Sequence, residues 1–296
     1  MPSKKLIVCM THGMGEVKEN EFTEKVEEFS RQVGKLIGSR LNAQVLYCPI
    51  FFQDIFQGRE SAVFEKMDEV GRFDWKWKFL RKFLLFGFSD AAGYESRAHV
   101  GMSEYERVQE RIRDAIDKAY DAVGSDSVEI LVIAQSLGTQ VLSNYIWDAQ
   151  QHSDRVYSGI WRNDYDGNST VSMERDAARR LKNMRYFLTT GCNIPIFIAG
   201  KKSIQAIKPD AEGYHFKWHN YYDKDDVLGW PLQPLGYFYD AHSKGVDASY
   251  AKAVIDHRIN VGNIFTSWNP FSHTYYWSDK DFIRPAAVMI EGLLKS

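Results

Sequence analysis

Cysteine is scarce in this chain. Cys9, Cys48 and Cys192 are its three representatives in 296 residues, with no CxxC pairing. So sparse and odd a set excludes a disulfide framework and a thiolate metal knuckle. Cys9 and Cys48 sit in apolar, strand-like runs and read as buried free thiols. An excess of one charge is missing too: 37 basic against 39 acidic residues give a formal charge of -2. That removes the electrostatic ground for expecting nucleic acid or a membrane as a general partner. No transmembrane-length apolar run opens the chain, and the short stretch after Met-Pro-Ser-Lys-Lys lacks a signal-peptide cleavage site, so a cytoplasmic protein is expected. Apolar material is plentiful, at 44% hydrophobic and 14% aromatic. Such a composition suffices for a sizeable core in one α/β domain spanning 1–296.

The most informative stretch is Ile130-Leu131-Val132-Ile133 followed by Ala134-Gln135-Ser136-Leu137-Gly138. Four apolar residues, three of them β-branched, predict a buried strand of a parallel sheet. Thr139 to Tyr145 then changes to helical spacing. The turn between them carries a serine flanked by small residues, as a sharp strand-to-helix turn demands, and its apex residue is expected to adopt strained backbone angles. The helix N-terminus beneath Ser136 favours developing negative charge.

A second glycine-bearing turn, Thr11-His12-Gly13-Met14-Gly15-Glu16, follows the apolar run Leu6–Met10. A dinucleotide-binding GxGxxG would need a third glycine where Lys18 stands. Further on, Phe22 to Leu41 has helical periodicity, Val45–Pro49 reads as a strand, and Ser103 to Val123 as a helix. Ala177 to Met184 looks helical, Tyr186–Gly191 and Tyr214–Tyr222 read as strands, and Arg258–Ile264 as the last one. An amphipathic helix from about Phe282 to Leu294 closes the chain. Gln151 to Thr170 reads as an exposed loop. Residues 51–100 fit no simple βα unit. Within them, 74–88 mixes aromatics with Lys78, Arg81 and Lys82, the pattern of a helix folded over the protein's own surface or of a membrane-surface contact. His215 and His219, four apart on a strand, form no metal motif. His242 and His257 lie upstream of the expected last strand and read as structural.

Taken together these motifs resemble the α/β-hydrolase superfamily. Ala134-Gln135-Ser136-Leu137-Gly138 resembles its nucleophile elbow, with alanine in place of the usual first glycine, and His12-Gly13-Met14-Gly15 resembles the oxyanion loop of lipases and esterases. The resemblance implies an α/β-hydrolase fold: a mostly parallel central sheet, helices on both faces, and an inserted cap or lid at 51–100. It also implies a triad in the order serine, acid, histidine, made of Ser136, an aspartate and His273. Asp225, in Asp225-Asp226-Val227, meets the family pattern best, with Asp226 and Asp223 as alternatives. Oxyanion donors would be Leu137 and Gly13 or Met14, with Gln135 lining the substrate site. His12 would be structural. The implied activity is cleavage of an ester-type bond in a small or lipid-like substrate, esterase- or lipase-like, without metal or organic cofactor. A non-catalytic binding or membrane-surface protein on the same fold, or an acyltransferase using the same triad, are the alternatives.

Overall fold

A computed structural model describes residues 5–15, 17–72, 78, 81–82, 85–90, 94, 103–124, 128–150, 159–161, 171–200, 204, 206–236, 249–262, 273 and 275–296. Six strands form one sheet: β1 (Leu6–Thr11), β2 (Val45–Ile50), β3 (Glu129–Gln135), β4 (Met184–Thr190), β5 (Lys217–Asp223) and β6 (Val254–Ile259). Their order is β2-β1-β3-β4-β5-β6, and every neighbouring pair is parallel. This is a doubly wound α/β fold. The chain runs outward from β1 to β2, then returns to the other side of β1 with β3. That reversal is the topological switch point, where the carboxyl ends of strands open a crevice.

The sheet is buried on both faces, which is why its strands read as near-continuous apolar runs. In β1, Ile7 and Cys9 belong to one core cluster, while Leu6, Val8 and Met10 belong to the other. β3 repeats the alternation, with Ile130, Val132 and Ala134 on the first side and Leu131 and Ile133 on the second. Helix α1 (Glu19–Ile37) covers the second face through Phe22, Val26, Phe29 and Val33, joined by a C-terminal helix (Lys280–Lys295) through Phe282, Ile283 and Ile290. On the first face lie a helix at Glu104–Val123, with Val108, Ile112 and Ile116 inward, and one at Leu137–Ala149. Each such apolar side chain stabilises the fold by about 1.5–3 kcal/mol when fully buried. The Glu104–Val123 helix starts at a capping box, Ser103 with Glu106, and stops at Gly124 in the left-handed region (φ 65°).

Several sequence-based boundaries shift. The helix expected at Ala177–Met184 is Met173–Arg179, and Met184 already starts β4. The last strand is Val254–Ile259 rather than Arg258–Ile264, so His257 lies within β6. As an edge strand β6 is only partly buried, with Ile255 47% exposed, and its apolar signal is correspondingly weak. Most of 151–170 lies outside the described residues.

Within 51–100 the structure describes a helix at Asp54–Gly71 and another over residues 85–90. Phe52, Phe56, Phe86 and Tyr94 are buried, and the Tyr94 hydroxyl donates to the Val141 carbonyl at 3.4 Å. Much of 74–88 lies outside the described residues. Of its cations, Lys78 pairs with Asp68 and the Lys82 ammonium stands 5.3 Å from the Phe86 ring centre. All three cysteines are free and buried, Cys9 opposite Cys48 in the β1–β2 ladder. Among the described residues no helix is long and apolar enough to cross a membrane.

Candidate active site

The carboxyl ends of β1, β3, β4 and β5 bring the site together. After β3 the chain turns at Ser136, whose φ of 52° and ψ of -124° put a non-glycine residue in a strained region, and the Leu137–Ala149 helix starts at the next residue. The Ser136 N–H donates to the Thr190 carbonyl at 3.0 Å, tying the turn to the end of β4. Close packing explains the small residues around it. A Cβ on Gly138 would come within 2.4 Å of the His12 carbonyl oxygen, and one on Gly13 within 2.6 Å of the Ser136 Cβ. The two glycines therefore seat the β1 loop against the serine turn.

His12 supports that loop from beneath. Its Nε2 accepts from the Phe52 N–H (3.2 Å), so its Nδ1 donates to the Gly13 carbonyl (2.7 Å). Burial lowers its pKa to about 4, leaving a neutral ring stacked on Phe52. Its role is structural.

His273 follows β6 in the chain, and its buried ring rests against Gly191, whose φ of 52° and absent Cβ make the space. The Gln135 side-chain amide, one residue before the serine, donates to the His273 carbonyl at 2.5 Å. Gln135 thus anchors the histidine segment beside the serine. His273 Nδ1 lies 2.8 Å from Asp226 Oδ2. Among the described residues, Ser136 Oγ and His273 Nε2 are both buried without a hydrogen-bond partner.

Of the three aspartates, Asp226 and not Asp225 meets the histidine. β5 ends at Asp223 and a turn follows, closed by the Asp226 N–H on the Asp223 carbonyl (3.3 Å), which carries Asp225 outward and Asp226 inward. Asp225 ion-pairs with Lys224 at the surface. Asp223 is buried, but its two oxygens accept from the backbone N–H groups of Asp225 (2.8 Å) and Val261 (2.5 Å). Asp226 Oδ1 accepts from the Leu228 N–H (3.0 Å), and Oδ2 also accepts from the Tyr276 hydroxyl (2.8 Å). Burial pushes the Asp226 pKa up, yet hydrogen bonds from His273, Leu228 and Tyr276 outweigh it and hold the carboxyl below its ordinary value.

Two contributors escaped the sequence reading. Tyr276 lies in the Ser272-His273-Thr274-Tyr275-Tyr276-Trp277 phrase, three residues past the histidine, and that spacing was its only signal. Its oxygen also accepts from the Asp223 N–H at 3.0 Å, joining the two aspartates. Asn193, fully buried, lies along the peptide joining Ser136 and Leu137. In the amide orientation that satisfies both groups, its nitrogen donates to the Ser136 carbonyl (2.8 Å) and its oxygen accepts from the Leu137 N–H (3.3 Å). Nothing in the sequence singles it out.

No protein-family model matches the chain, and none of the curated proteins does. Among solved structures, a cutinase-like protein from Cryptococcus sp. aligns over 98% of this chain and 95% of its own, at 9% identity and a TM-score of 0.40. A likeness that slight carries no argument about function.

Proposed function

We propose that the protein is a serine hydrolase of the α/β-hydrolase type, cleaving an ester-type bond through an acyl-enzyme intermediate. The observation that carries this reading is the pairing of a strained serine turn at the switch point with a buried histidine whose Nδ1 is bound to a buried aspartate. An ionised Asp226 fixes the tautomer with Nδ1 protonated, which leaves Nε2 free to accept the Ser136 proton. Ser136 Oγ then attacks the carbonyl carbon, the tetrahedral oxyanion collapses, and the imidazolium returns its proton to the departing alkoxide. Water, activated by the same nitrogen, releases the acid. Apo hydrogen bonds in such sites are often long and tighten with substrate.

The oxyanion would be held by the N–H of Leu137 and one from Gly13 or Met14. A single such donor contributes about 2.7–4 kcal/mol of transition-state stabilisation. In the resting arrangement Asn193 Oδ1 already meets the Leu137 N–H, at a long 3.3 Å, and the oxyanion replaces or shares that contact. Ser136 and His273 are buried, so substrate entry requires displacement of what covers them. Residues 51–100 would serve as the cap. The acyl chain length is set by the space that opens there.

Steady-state hydrolysis of short p-nitrophenyl esters tests the reading. Wild type should turn over, and Ser136→Ala and His273→Ala should fall at least a thousandfold in kcat. Equal rates in wild type and Ser136→Ala would refute it.

A further inference from the structure

The loop that would carry the oxyanion donors is held on its far side by a residue of the 51–100 segment. Gly15 is buried and has a φ of 102°, and its N–H donates to Asp90 Oδ2 at 3.0 Å. Asp90 is itself fully buried, at the end of the helix over 85–90. The same helix touches the loop a second time: a Cβ on Gly87 would come within 2.5 Å of the Met14 sulfur. Met14 and Gly15 are thus gripped at two points, directly after the glycine that lies against Ser136.

Asp90 is built to stay in place. Gln53 Nε2 donates to both its oxygens, at 2.9 and 3.0 Å. Gly15 and Gln53 thus hold the Asp90 carboxyl through three hydrogen bonds. Glu60 Oε1 accepts from the hydroxyl of Ser89, the residue before Asp90, at 2.6 Å. Burial pushes both carboxyls up, Asp90 to about 8.

We propose that Asp90 is a positioning residue that fixes the Gly13–Gly15 loop against Ser136. On this account the 51–100 segment sets the geometry of the oxyanion loop as well as covering the site. The inference rests on the hydrolase reading for its catalytic consequence, but not for the grip on the loop.

Two readouts keep the claims apart. The first is amide hydrogen exchange in peptides spanning residues 11–18, compared with peptides from β3. The second is kcat and KM for an ester. Asp90→Ala should speed exchange in 11–18 at least tenfold with β3 unchanged, and lower kcat at least tenfold with KM within twofold. Asp90→Asn keeps an acceptor for Gly15, so it should restore both readouts. Unchanged exchange in Asp90→Ala, or raised exchange with unchanged kcat, would overturn the proposal. So would an Asp90→Asn protein no better than Asp90→Ala. If wild type cleaves no ester, the hydrolase reading falls, and exchange alone decides whether Asp90 holds the loop.

Discussion

Gly13 and Ser136 approach so closely that a Cβ on the glycine would stand 2.6 Å from the serine Cβ. A loop after β1 and a turn after β3 are therefore one packed unit. Their contact decides where an N–H of the loop lies relative to the serine hydroxyl. Gly13→Ala should lower kcat by about a hundredfold, the scale of one lost oxyanion donor, while KM changes little. The melting curve should show a folded protein destabilised by about 1–3 kcal/mol, as overpacking does. Unchanged kcat in a folded Gly13→Ala protein would mean that the loop does not serve the reaction.

The aspartates separate cleanly. Asp226→Asn keeps the shape but loses the charge that fixes the histidine tautomer, and kcat should fall by about 10⁴, as in comparable triads. Asp225→Asn removes only a surface ion pair with Lys224, worth about 0–1 kcal/mol, and kcat should stay within twofold. Steady-state kinetics on one ester with both variants checks the assignment. A larger loss in Asp225→Asn would reverse it.

Tyr276 links Asp226 to the Asp223 backbone. Tyr276→Phe removes one of the hydrogen bonds that hold the Asp226 carboxyl down, so the acid limb of the kcat/KM profile should move to higher pH. The buried Asp223 N–H is left unpartnered, at a cost of about 1–3 kcal/mol. A pH–rate profile and a urea titration measure the two effects. An acid limb that stays put would remove Tyr276 from the triad's support.

His12 predicts a pH dependence of stability. Its folded pKa, about 4, lies below the ordinary histidine value of 6.5 because burial disfavours the charged ring. Between those values the unfolded chain binds more protons than the folded one, so stability rises with pH across the window. The contribution is complete above pH 6.5 and lost as pH falls towards 4, amounting to roughly 3 kcal/mol. Urea midpoints from pH 7 to 4 should fall more steeply in wild type than in His12→Asn. Parallel curves would show that His12 does not titrate in this way.

The elbow was legible in the sequence because its requirements are local: a buried apolar strand, a serine flanked by Ala134 and Gly138, and a helix. The parallel sheet followed from apolar runs buried on two faces. The choice of Asp226 was not legible. Adjacent aspartates share one sequence pattern, and only the hydrogen-bonded turn after Asp223 decides which faces inward. β6 was misplaced because an edge strand with exposed Ile255 lacks the apolar signal of a central one. Tyr276, Asn193 and Asp90 make their contacts with residues distant in the chain, and no spacing announces such contacts.

Covalent labelling tests the central claim most directly. Wild type, Ser136→Ala and His273→Ala would be treated with a fluorophosphonate and weighed intact. The account predicts one adduct on wild type, mapped to Ser136, none on Ser136→Ala, and much slower labelling of His273→Ala. An adduct on Ser136→Ala at the wild-type rate, or a wild type inert under conditions that label a control esterase, would contradict it.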